Sequence, residues 1–323
     1  MTRPKVFLTR KWPQNVEDGI AAQFDVTLNI HDIPVDRPTL RAAFLSHDAI
    51  LTTVTDTLDQ GFFNDLKPKA KIIVNYGVGY SHIDVVSARN CGVTVTNTPG
   101  VLDDCTADLA MTLLLMSARR AVEGMQEIKT GNWTGWRPTH LMGASVTGKT
   151  LGIVGFGRIG QAMAKRAHFG FGMRILTHNR SKIAPNVLAQ TQTTQMATLD
   201  ALLPICDFIS LHCPGGIENR HLIDADRFGL MKSTAFLINT ARGEIVDEAA
   251  LAQALLSRKI AGAGLDVFEN EPAIHPELLR CDNAVFLPHM GSATLETREA
   301  MGMRALQNLT AHFNGAAPKD TVN

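Results

Sequence analysis

Three glycines in the pattern Gly155-Phe-Gly157-Arg-Ile-Gly160 restrict the fold more than any other part of the chain. They follow the apolar run TLGIV and precede the amphipathic stretch QAMAKRAHFG, so they lie between a predicted strand and a predicted helix. In this setting the first glycine allows a tight turn, the second allows the backbone to approach a pyrophosphate, and the third allows close helix–strand packing. Free N–H groups at the helix start then bind phosphate. The pattern predicts a dinucleotide-binding βα unit; a βα turn without a ligand is the alternative.

Short β-branched runs recur on both sides of this pattern, separated by helix-length connections. The runs before it are KVFLT, DVTLN, AILTTV, KIIVNYG and VTVTN. The runs after it are MRILTH, DFISLH, TAFLIN, AGAGLDV and NAVFLP. Strands that are apolar on both faces and alternate with helices indicate parallel sheets covered by helices. One open sheet rarely holds more than about ten strands, so we predict an α/β chain with two doubly wound parallel sheets.

Charge and composition exclude several classes of function. Lys+Arg and Asp+Glu both total 31, so the chain lacks the basic field that nucleic-acid binding or a polybasic membrane anchor requires. The longest apolar run, residues 109–116, is too short to span a bilayer, and MTRPKVFLTRKWP lacks the apolar segment of a signal peptide. Five scattered cysteines without a C-x-x-C pair indicate reduced thiols. We expect a cytoplasmic protein with no metal, nucleic-acid or membrane partner.

The turn after the run MRILTH bears on the choice of nicotinamide cofactor. NAD sites generally place Asp or Glu there, about 20 residues past the glycines, to bind the ribose 2′-hydroxyl. This chain has Asn179, Arg180, Ser181 and Lys182 instead. A carboxylate repels a 2′-phosphate, whereas a guanidinium binds one through two parallel hydrogen bonds. We predict that NADPH is preferred and NADH is the weaker cofactor, with Arg180 as the main contact and the other three assisting; a solvated basic turn is the alternative.

Three clusters of polar residues each follow a predicted strand, where open α/β sheets bind their ligands. Arg242 lies in LINTARGEIVDEAAL, Asp266 and Glu271 lie in GLDVFENEP, and His289 lies in VFLPHMGSAT. Each residue considered alone has a simpler interpretation: Arg242 caps a helix end, Glu271 is a solvated side chain and His289 is a loop histidine. Together, beside a dinucleotide pattern, they indicate a catalytic site.

These motifs, with NYGVGYSHIDVVSARNCGVTVTNTPGVL and SLHCP, stand in the order found in the D-isomer-specific 2-hydroxyacid dehydrogenases, which the chain resembles over nearly its full length. TPGVLDDCTADLAMTLLL, NWTGW and the turn at Asn179 are similar to the glyoxylate/hydroxypyruvate reductase branch. The resemblance implies a flavodoxin-like substrate domain (residues 1–100 plus 290–323), a Rossmann cofactor domain (101–289) and a cleft between them. It also implies a homodimer with an arm near residues 120–146, in agreement with Trp133, Trp136 and Leu141 in a Gly-rich stretch that cannot bury them locally.

The resemblance also implies reduction of a small 2-keto acid, glyoxylate or hydroxypyruvate, to a D-2-hydroxy acid. Arg242 and the N–H groups of Val78 and Gly79 would bind the carboxylate, and Arg242 would stabilise the oxyanion. His289 would contact the substrate and donate the proton. Because a free imidazole titrates near pH 6.5, Glu271 would keep this ring charged and oriented. A reductase of 2-ketogluconate or another 2-keto acid, and a nucleotide-sensing binding protein like the corepressors built on this scaffold, are the alternatives.

Cofactor contacts are implied at the positions that match the motifs of the family. Asp266 would either anchor the nicotinamide side of the site or tune His289. Besides Asp266 and the turn at Asn179, the implied positions are Thr106, Gly155, Gly157, Arg158, Ile159, Gly160, His212, Pro214, Thr240 and Gly291.

Overall fold

The computed structural model describes residues 3–323, which form two compact units. The first unit runs to Leu102 and includes Ala293–Asn323, and the second unit is Asp103–Ser292. The division falls a few residues beyond the expected boundaries, so that Gly291 lies in the second unit. Among the described residues, no helix combines the length and apolar character needed to cross a membrane.

The first unit is built on a five-stranded parallel sheet in the order β2-β1-β3-β4-β5, which is the flavodoxin-like order. Its central strands β3 and β4 are buried along their whole length, because helices cover both faces of the sheet. The strands are β1 (Lys5–Leu8), β2 (Asp25–Thr27), β3 (Ala49–Thr52), β4 (Ile72–Asn75) and β5 (Thr94–Thr96).

Aspartates begin three of the helices in this unit. Asp36, Asp59 and Asp84 each accept a hydrogen bond from the backbone N–H three residues further on, which satisfies a free donor of the first turn. The C-terminal helix, Leu295–Phe313, returns to this unit. The first four helices are α1 (Gln14–Ala21), α2 (Arg37–Ser46), α3 (Gln60–Phe63) and α4 (Val85–Asn90).

The second unit is built on a seven-stranded parallel sheet in the order β12-β11-β10-β9-β6-β7-β8. The strands are β6 (Thr150–Val154), β7 (Arg174–His178), β8 (Thr194–Gln195), β9 (Phe208–Leu211), β10 (Phe236–Asn239), β11 (Gly262–Leu265) and β12 (Ala284–Phe286). The helices are α5 (Asp103–Ala118), α6 (Ala121–Lys129), α7 (Arg158–Lys165), α8 (Pro185–Ala189), α9 (Leu199–Leu202), α10 (Ala225–Leu230) and α11 (Glu248–Leu256). The C-terminal helix of the first unit is α12.

Strand β6 pairs with β7 on one side and with β9 on the other, so the strand order reverses at β6. Ligands of open α/β sheets bind outside the carboxyl ends of the strands at such a reversal. The prediction of two parallel-sheet α/β domains is confirmed. The glycine-rich turn and every catalytic candidate of the second unit follow strands of this one sheet.

Candidate active site

The three glycines after β6 have different surroundings. Gly155 has a φ of +89°, and a Cβ there would lie 2.5 Å from a backbone nitrogen of the turn after β9. A Cβ on Gly160 would overlap the carbonyl oxygen of Gly155. Around Gly157, by contrast, residues 3–323 place no atom within 4 Å of the Cβ position, apart from the two neighbours in the chain. Among the described residues, the N–H groups of Arg158 and Ile159 in the next helical turn have no hydrogen-bond partner, so the turn presents free donors beside open space.

Asn179 has a function in the structure that the sequence did not indicate. Its Oδ1 accepts a hydrogen bond from Phe156 N at 3.2 Å, and its Nδ2 donates to the backbone and hydroxyl oxygens of Ser181, both at 3.0 Å. These bonds use the side-chain amide within the protein. Asn179 therefore fastens the glycine-rich turn to the basic turn after β7.

The basic groups of that turn are exposed. The Arg180 side chain is 82% exposed and forms an ion pair with Glu218, which lies in the turn after β9. Ser181 and Lys182 are exposed beside it. Exposed ion pairs contribute little to stability, so Arg180 is available to another anion.

The start of α5 lies beside the cofactor turn and the His289 segment. The guanidinium of Arg158 donates from Nε to Asp103 at 2.7 Å. One turn further along α5, Thr106 is buried, and its Cγ2 would lie 3.5 Å from a Cβ on Gly291. The structure thus brings Thr106 and Gly291, two implied cofactor contacts, next to each other.

Arg242 follows β10 in a turn that Asn239 holds. Asn239 is buried; its Nδ2 donates to Arg242 O at 2.9 Å, and its Oδ1 accepts from Ala241 N at 3.0 Å. Burial lowers the pKa of Arg242, whereas the charges of Glu271 and Glu244 oppose this shift. The guanidinium remains charged at any physiological pH. Sequence reasoning missed Asn239, although a polar residue that ends the apolar run FLIN was its signal.

His289 and Glu271 are in direct contact. Nδ1 of His289 lies 2.7 Å from Oε2 of Glu271, whose Oε1 accepts from Phe268 N at 3.0 Å. Burial opposes ionisation of Glu271, but the hydrogen bond and charge of His289, the Phe268 N–H and the charge of Arg242 hold its pKa below the usual value. A charged carboxylate at Nδ1 keeps a proton there, and Nε2 has no partner among the described residues. His289 also has a φ of 55°, which few residues other than glycine adopt.

Asp266 fixes the backbone around His289. Its two carboxylate oxygens accept from Met290 N at 2.6 Å and Gly291 N at 2.7 Å, and its carbonyl accepts from His289 N at 2.8 Å. Burial raises the pKa of Asp266 to about 6, although these N–H donors and the charge of His289 act in the opposite direction. The carboxylate thus holds the segment that follows β12.

His212 and Pro214 follow β9, the neighbour of β6, and Thr240 follows β10, the next strand along the sheet. Burial lowers the pKa of His212 to about 4, so this ring is neutral near pH 7, and its Nε2 lies 2.8 Å from Ser210 Oγ. Pro214 is exposed in the turn after β9. The Thr240 hydroxyl is buried without a partner in the described part of the chain. An unpaired buried hydroxyl, free N–H groups and a turn open at Gly157 fit a dinucleotide. No group of three His, Cys, Asp or Glu side chains among residues 3–323 is arranged to hold a metal ion.

In the first unit, two asparagines hold the loop that carries Val78 and Gly79. Asn75 Nδ2 donates to Gly77 O at 3.1 Å and to Gly79 O at 3.0 Å, and Asn97 Nδ2 donates to Val78 O at 2.8 Å. The N–H groups of Val78 and Gly79 have no partner among the described residues. The loop therefore offers donors while its carbonyls are satisfied. Sequence reasoning missed both asparagines, each of which lies at the end of an apolar run.

Known proteins are similar to this chain in both sequence and fold. The model of the D-isomer specific 2-hydroxyacid dehydrogenase NAD-binding domain matches residues 111–291. A glyoxylate reductase of Thermococcus litoralis is 45% identical over 325 residues, which cover 99% of this chain and 97% of that protein. A solved glyoxylate reductase from Paecilomyes thermophila is 31% identical, with a TM-score of 0.87 over 100% of this chain and 99% of that one.

A second solved structure is similar over the whole chain. It is the NADPH-dependent glyoxylate/hydroxypyruvate reductase of Sinorhizobium meliloti in complex with NADP and malonate, 33% identical, with a TM-score of 0.88 over 99% of this chain and 97% of that one. The family match spans the glycine-rich turn and all seven strands of the second unit, and its residues 111–291 include Arg242, Glu271 and His289. The chain belongs to the D-isomer specific 2-hydroxyacid dehydrogenases and is an NAD(P)-dependent oxidoreductase.

Proposed function

We propose that the protein is an NADPH-preferring reductase of small 2-keto acids, with glyoxylate and hydroxypyruvate as substrates and D-2-hydroxy acids as products. The observation that carries this proposal is the 2.7 Å hydrogen bond between His289 and Glu271. The carboxylate of Glu271 also interacts with the charge of Arg242. A proton donor and an anion-binding guanidinium are the two groups that reduction of a 2-keto acid requires. The relatives in Thermococcus litoralis and Sinorhizobium meliloti, named for such substrates, support it.

Each reacting group has a distinct task. A bound nicotinamide supplies the hydride that reduces the keto carbon. Arg242 binds the substrate carboxylate and stabilises the negative charge that develops on the keto oxygen. In the first unit, the unpartnered N–H groups of Val78 and Gly79 are proposed substrate contacts. His289 donates the proton from Nε2, while Glu271 orients the ring through Nδ1 and stabilises its charged form.

Asp266 is a positioning residue in this proposal. Both of its carboxylate oxygens accept backbone N–H groups directly after His289, so a direct contact with the cofactor is not needed to explain the residue. The proposed contacts of the cofactor in this part of the site are Thr106, His212, Pro214, Thr240 and Gly291.

Arg180 supports the proposed preference for NADPH. Its guanidinium is exposed in the turn where NAD-specific sites generally carry an acid, directly after Asn179, and Lys182 adds a second positive charge. The Sinorhizobium meliloti relative is described as NADPH-dependent and was solved with NADP.

A homodimer in the cytoplasm completes the proposal. Helix α6 buries none of its residues within the chain, and Met125 and Ile128 on it are exposed. Trp133 is 54% exposed and Trp136 is 83% exposed in the segment that follows. Apolar side chains in such number on one segment are typical of a protein interface, and we assign them to a second copy of the chain.

A substrate panel tests the reductase function. Purified protein is assayed with glyoxylate, hydroxypyruvate, pyruvate and 2-ketogluconate, each with NADPH and with NADH. The highest kcat/KM is expected for glyoxylate or hydroxypyruvate with NADPH. Turnover confined to 2-ketogluconate would contradict the proposed substrates, and equal kcat/KM with NADPH and NADH would contradict the proposed NADPH preference. Cofactor binding without turnover of any acid would indicate a nucleotide-sensing binding protein instead.

A further inference from the structure

Glu271 lies in a loop, residues 268–275, that has little regular structure to hold it. A single bridge between Asn270 and Ala273 is the only strand-like pairing within it. Yet the distance from Glu271 Oε2 to His289 Nδ1 is a hydrogen-bond length, 2.7 Å. The loop must therefore be fixed from outside, by groups on neighbouring elements.

Glu248, the first residue of α11, supplies two such anchors. Its side chain is buried, with 4% of the residue exposed. Oε1 accepts from Glu269 N at 2.7 Å, and Oε2 accepts from His275 N at 3.2 Å. One N–H precedes Glu271 and the other follows it, so one carboxylate bridges both ends of the segment that presents Glu271.

The segment before α11 contacts the same loop. A Cβ on Gly243 would overlap the carbonyl carbon of Phe268, so the turn that carries Arg242 lies directly against the start of the loop. Six residues after Arg242, the chain reaches Glu248. A single short stretch, residues 242–248, thus contains the anion-binding guanidinium and the anchor of the loop that bears Glu271.

No cation in the described part of the chain forms an ion pair with Glu248. Burial raises the pKa of Glu248, and the charge of Glu269 acts in the same direction, whereas the two N–H donors and His275 oppose the shift. The Glu269 carboxylate is itself occupied by Arg220 at 2.5 Å and His221 at 2.8 Å. Burying a carboxylate whose main partners are two N–H groups costs free energy. A role in holding the loop explains why a carboxylate is present at this buried position.

We propose that Glu248 is a positioning residue for the reduction: by holding both ends of the loop, it sets the contact of Glu271 with His289 and so the protonation of the imidazole. The groups that face His289 are Glu271 and Asp266, and neither is altered directly by a change at Glu248. The kinetic consequence rests on the proposed reductase function, whereas the effect on the His289 ring does not.

The test uses Glu248→Gln in the full chain. A carboxamide has the size of the carboxylate but one acceptor oxygen, so one of the two N–H groups loses its partner. Glu17→Gln is the matched control, since Glu17 is also buried, with 5% exposed, and accepts Trp12 N at 2.8 Å in the first unit. Glu248→Asp keeps both acceptors on a shorter side chain and serves if the glutamine variant does not fold.

Two measurements separate positioning from stability alone. We expect kcat for glyoxylate to fall about 10-fold in Glu248→Gln, with the basic limb of its pH profile moved to lower pH. The NMR titration midpoint of the His289 ring, assigned with His289→Asn, should move in the same direction. The melting temperature should fall in both glutamine variants, but Glu17→Gln should keep the wild-type pH profile. In Glu248→Asp the same shifts should appear with smaller size.

Three outcomes bear on the two hypotheses separately. If the wild type reduces no 2-keto acid, the proposed function is wrong, and the ring titration still decides the role of Glu248. If the wild type is active but Glu248→Gln or Glu248→Asp leaves both the pH profile and the ring titration unchanged, the positioning role is overturned. If Glu17→Gln shifts the pH profile as much as Glu248→Gln does, loss of stability alone is the explanation.

Discussion

Glu271 Oε2 lies 2.7 Å from His289 Nδ1, and the other oxygen of the same carboxylate accepts the Phe268 N–H at 3.0 Å. The imidazole is thus oriented by a carboxylate that is itself fixed to the backbone. This arrangement leaves Nε2 as the nitrogen available to a substrate.

Replacement of Glu271 by glutamine should shift the pH dependence of the reduction. Without the negative charge the protonated imidazole is less stable, so the basic limb of the kcat profile should move to lower pH and kcat should fall about 10- to 100-fold. Steady-state rates between pH 5 and 9 measure this. Glu277→Gln is the control, since Glu277 pairs with Arg280 outside the site. An unmoved profile would remove Glu271 from its assigned role.

Replacement of His289 by asparagine should remove the proton donor. Asparagine tolerates the left-handed backbone at this position, where φ is 55°, so the loop should keep its conformation. Turnover should fall by about 10²- to 10⁴-fold, the usual contribution of a general acid. Titration of protein fluorescence with NADPH should give a Kd close to that of the wild type. Near-normal turnover would reject His289 as the acid.

Asp266→Asn should change how stability depends on pH. Because the pKa of Asp266 is raised to about 6, its folded form binds a proton more tightly than the unfolded chain does. Its contribution to stability is therefore fully present at the lowest pH and is lost as pH rises through the window from about 4 to about 6. Relative to the variant, the wild type should lose on the order of 2 kcal/mol across this window in urea titrations followed by circular dichroism. A constant difference between the two proteins would contradict the raised pKa.

Arg180→Ser should reduce the use of NADPH selectively. Loss of a charge-assisted pair of hydrogen bonds to a 2′-phosphate costs about 1.5–3 kcal/mol, so KM for NADPH should rise about 10- to 100-fold while KM for NADH changes little. Steady-state kinetics with both cofactors measure this. Arg37→Ala, which removes an exposed arginine paired with Asp59 in the first unit, should leave both KM values unchanged. Equal losses with NADPH and NADH would show that Arg180 does not read the 2′-phosphate.

Gly243→Ala should lower both stability and activity, because a Cβ there collides with the backbone of Phe268. Forced overpacking of this kind costs about 1–3 kcal/mol and moves the loop that carries Glu271. Gly229→Ala is the control, since no atom lies within 4 Å of its Cβ position in α10, and it should be stabilising by about 0.5–1 kcal/mol. Melting temperatures and turnover decide the matter, and a fully active, stable Gly243→Ala would contradict the collision.

The strands and the catalytic candidates could be predicted from the sequence because parallel strands are continuous apolar runs and their carboxyl ends carry the polar groups. Strand β8, Thr194–Gln195, could not, since two polar residues give no such signal. The motifs along the chain marked His289 and Glu271 as catalytic candidates, but they could not indicate that Glu248 accepts the N–H of Glu269. Partners of this kind depend on how loops fold against each other. Asn179 illustrates the limit, since the turn predicted a phosphate contact and the structure engages its amide with Phe156.

The side-chain amides of Asn75 and Asn97 donate hydrogen bonds to the carbonyl oxygens of Gly77, Val78 and Gly79. These hydrogen bonds involve the backbone of the three loop residues and none of their side chains. The path of the main chain is consequently independent of what Val78 or Tyr80 projects from it. If the loop binds the substrate as proposed, those two positions are where acceptance of longer or bulkier acids can be redesigned, because their side chains can be exchanged while the main chain stays fixed.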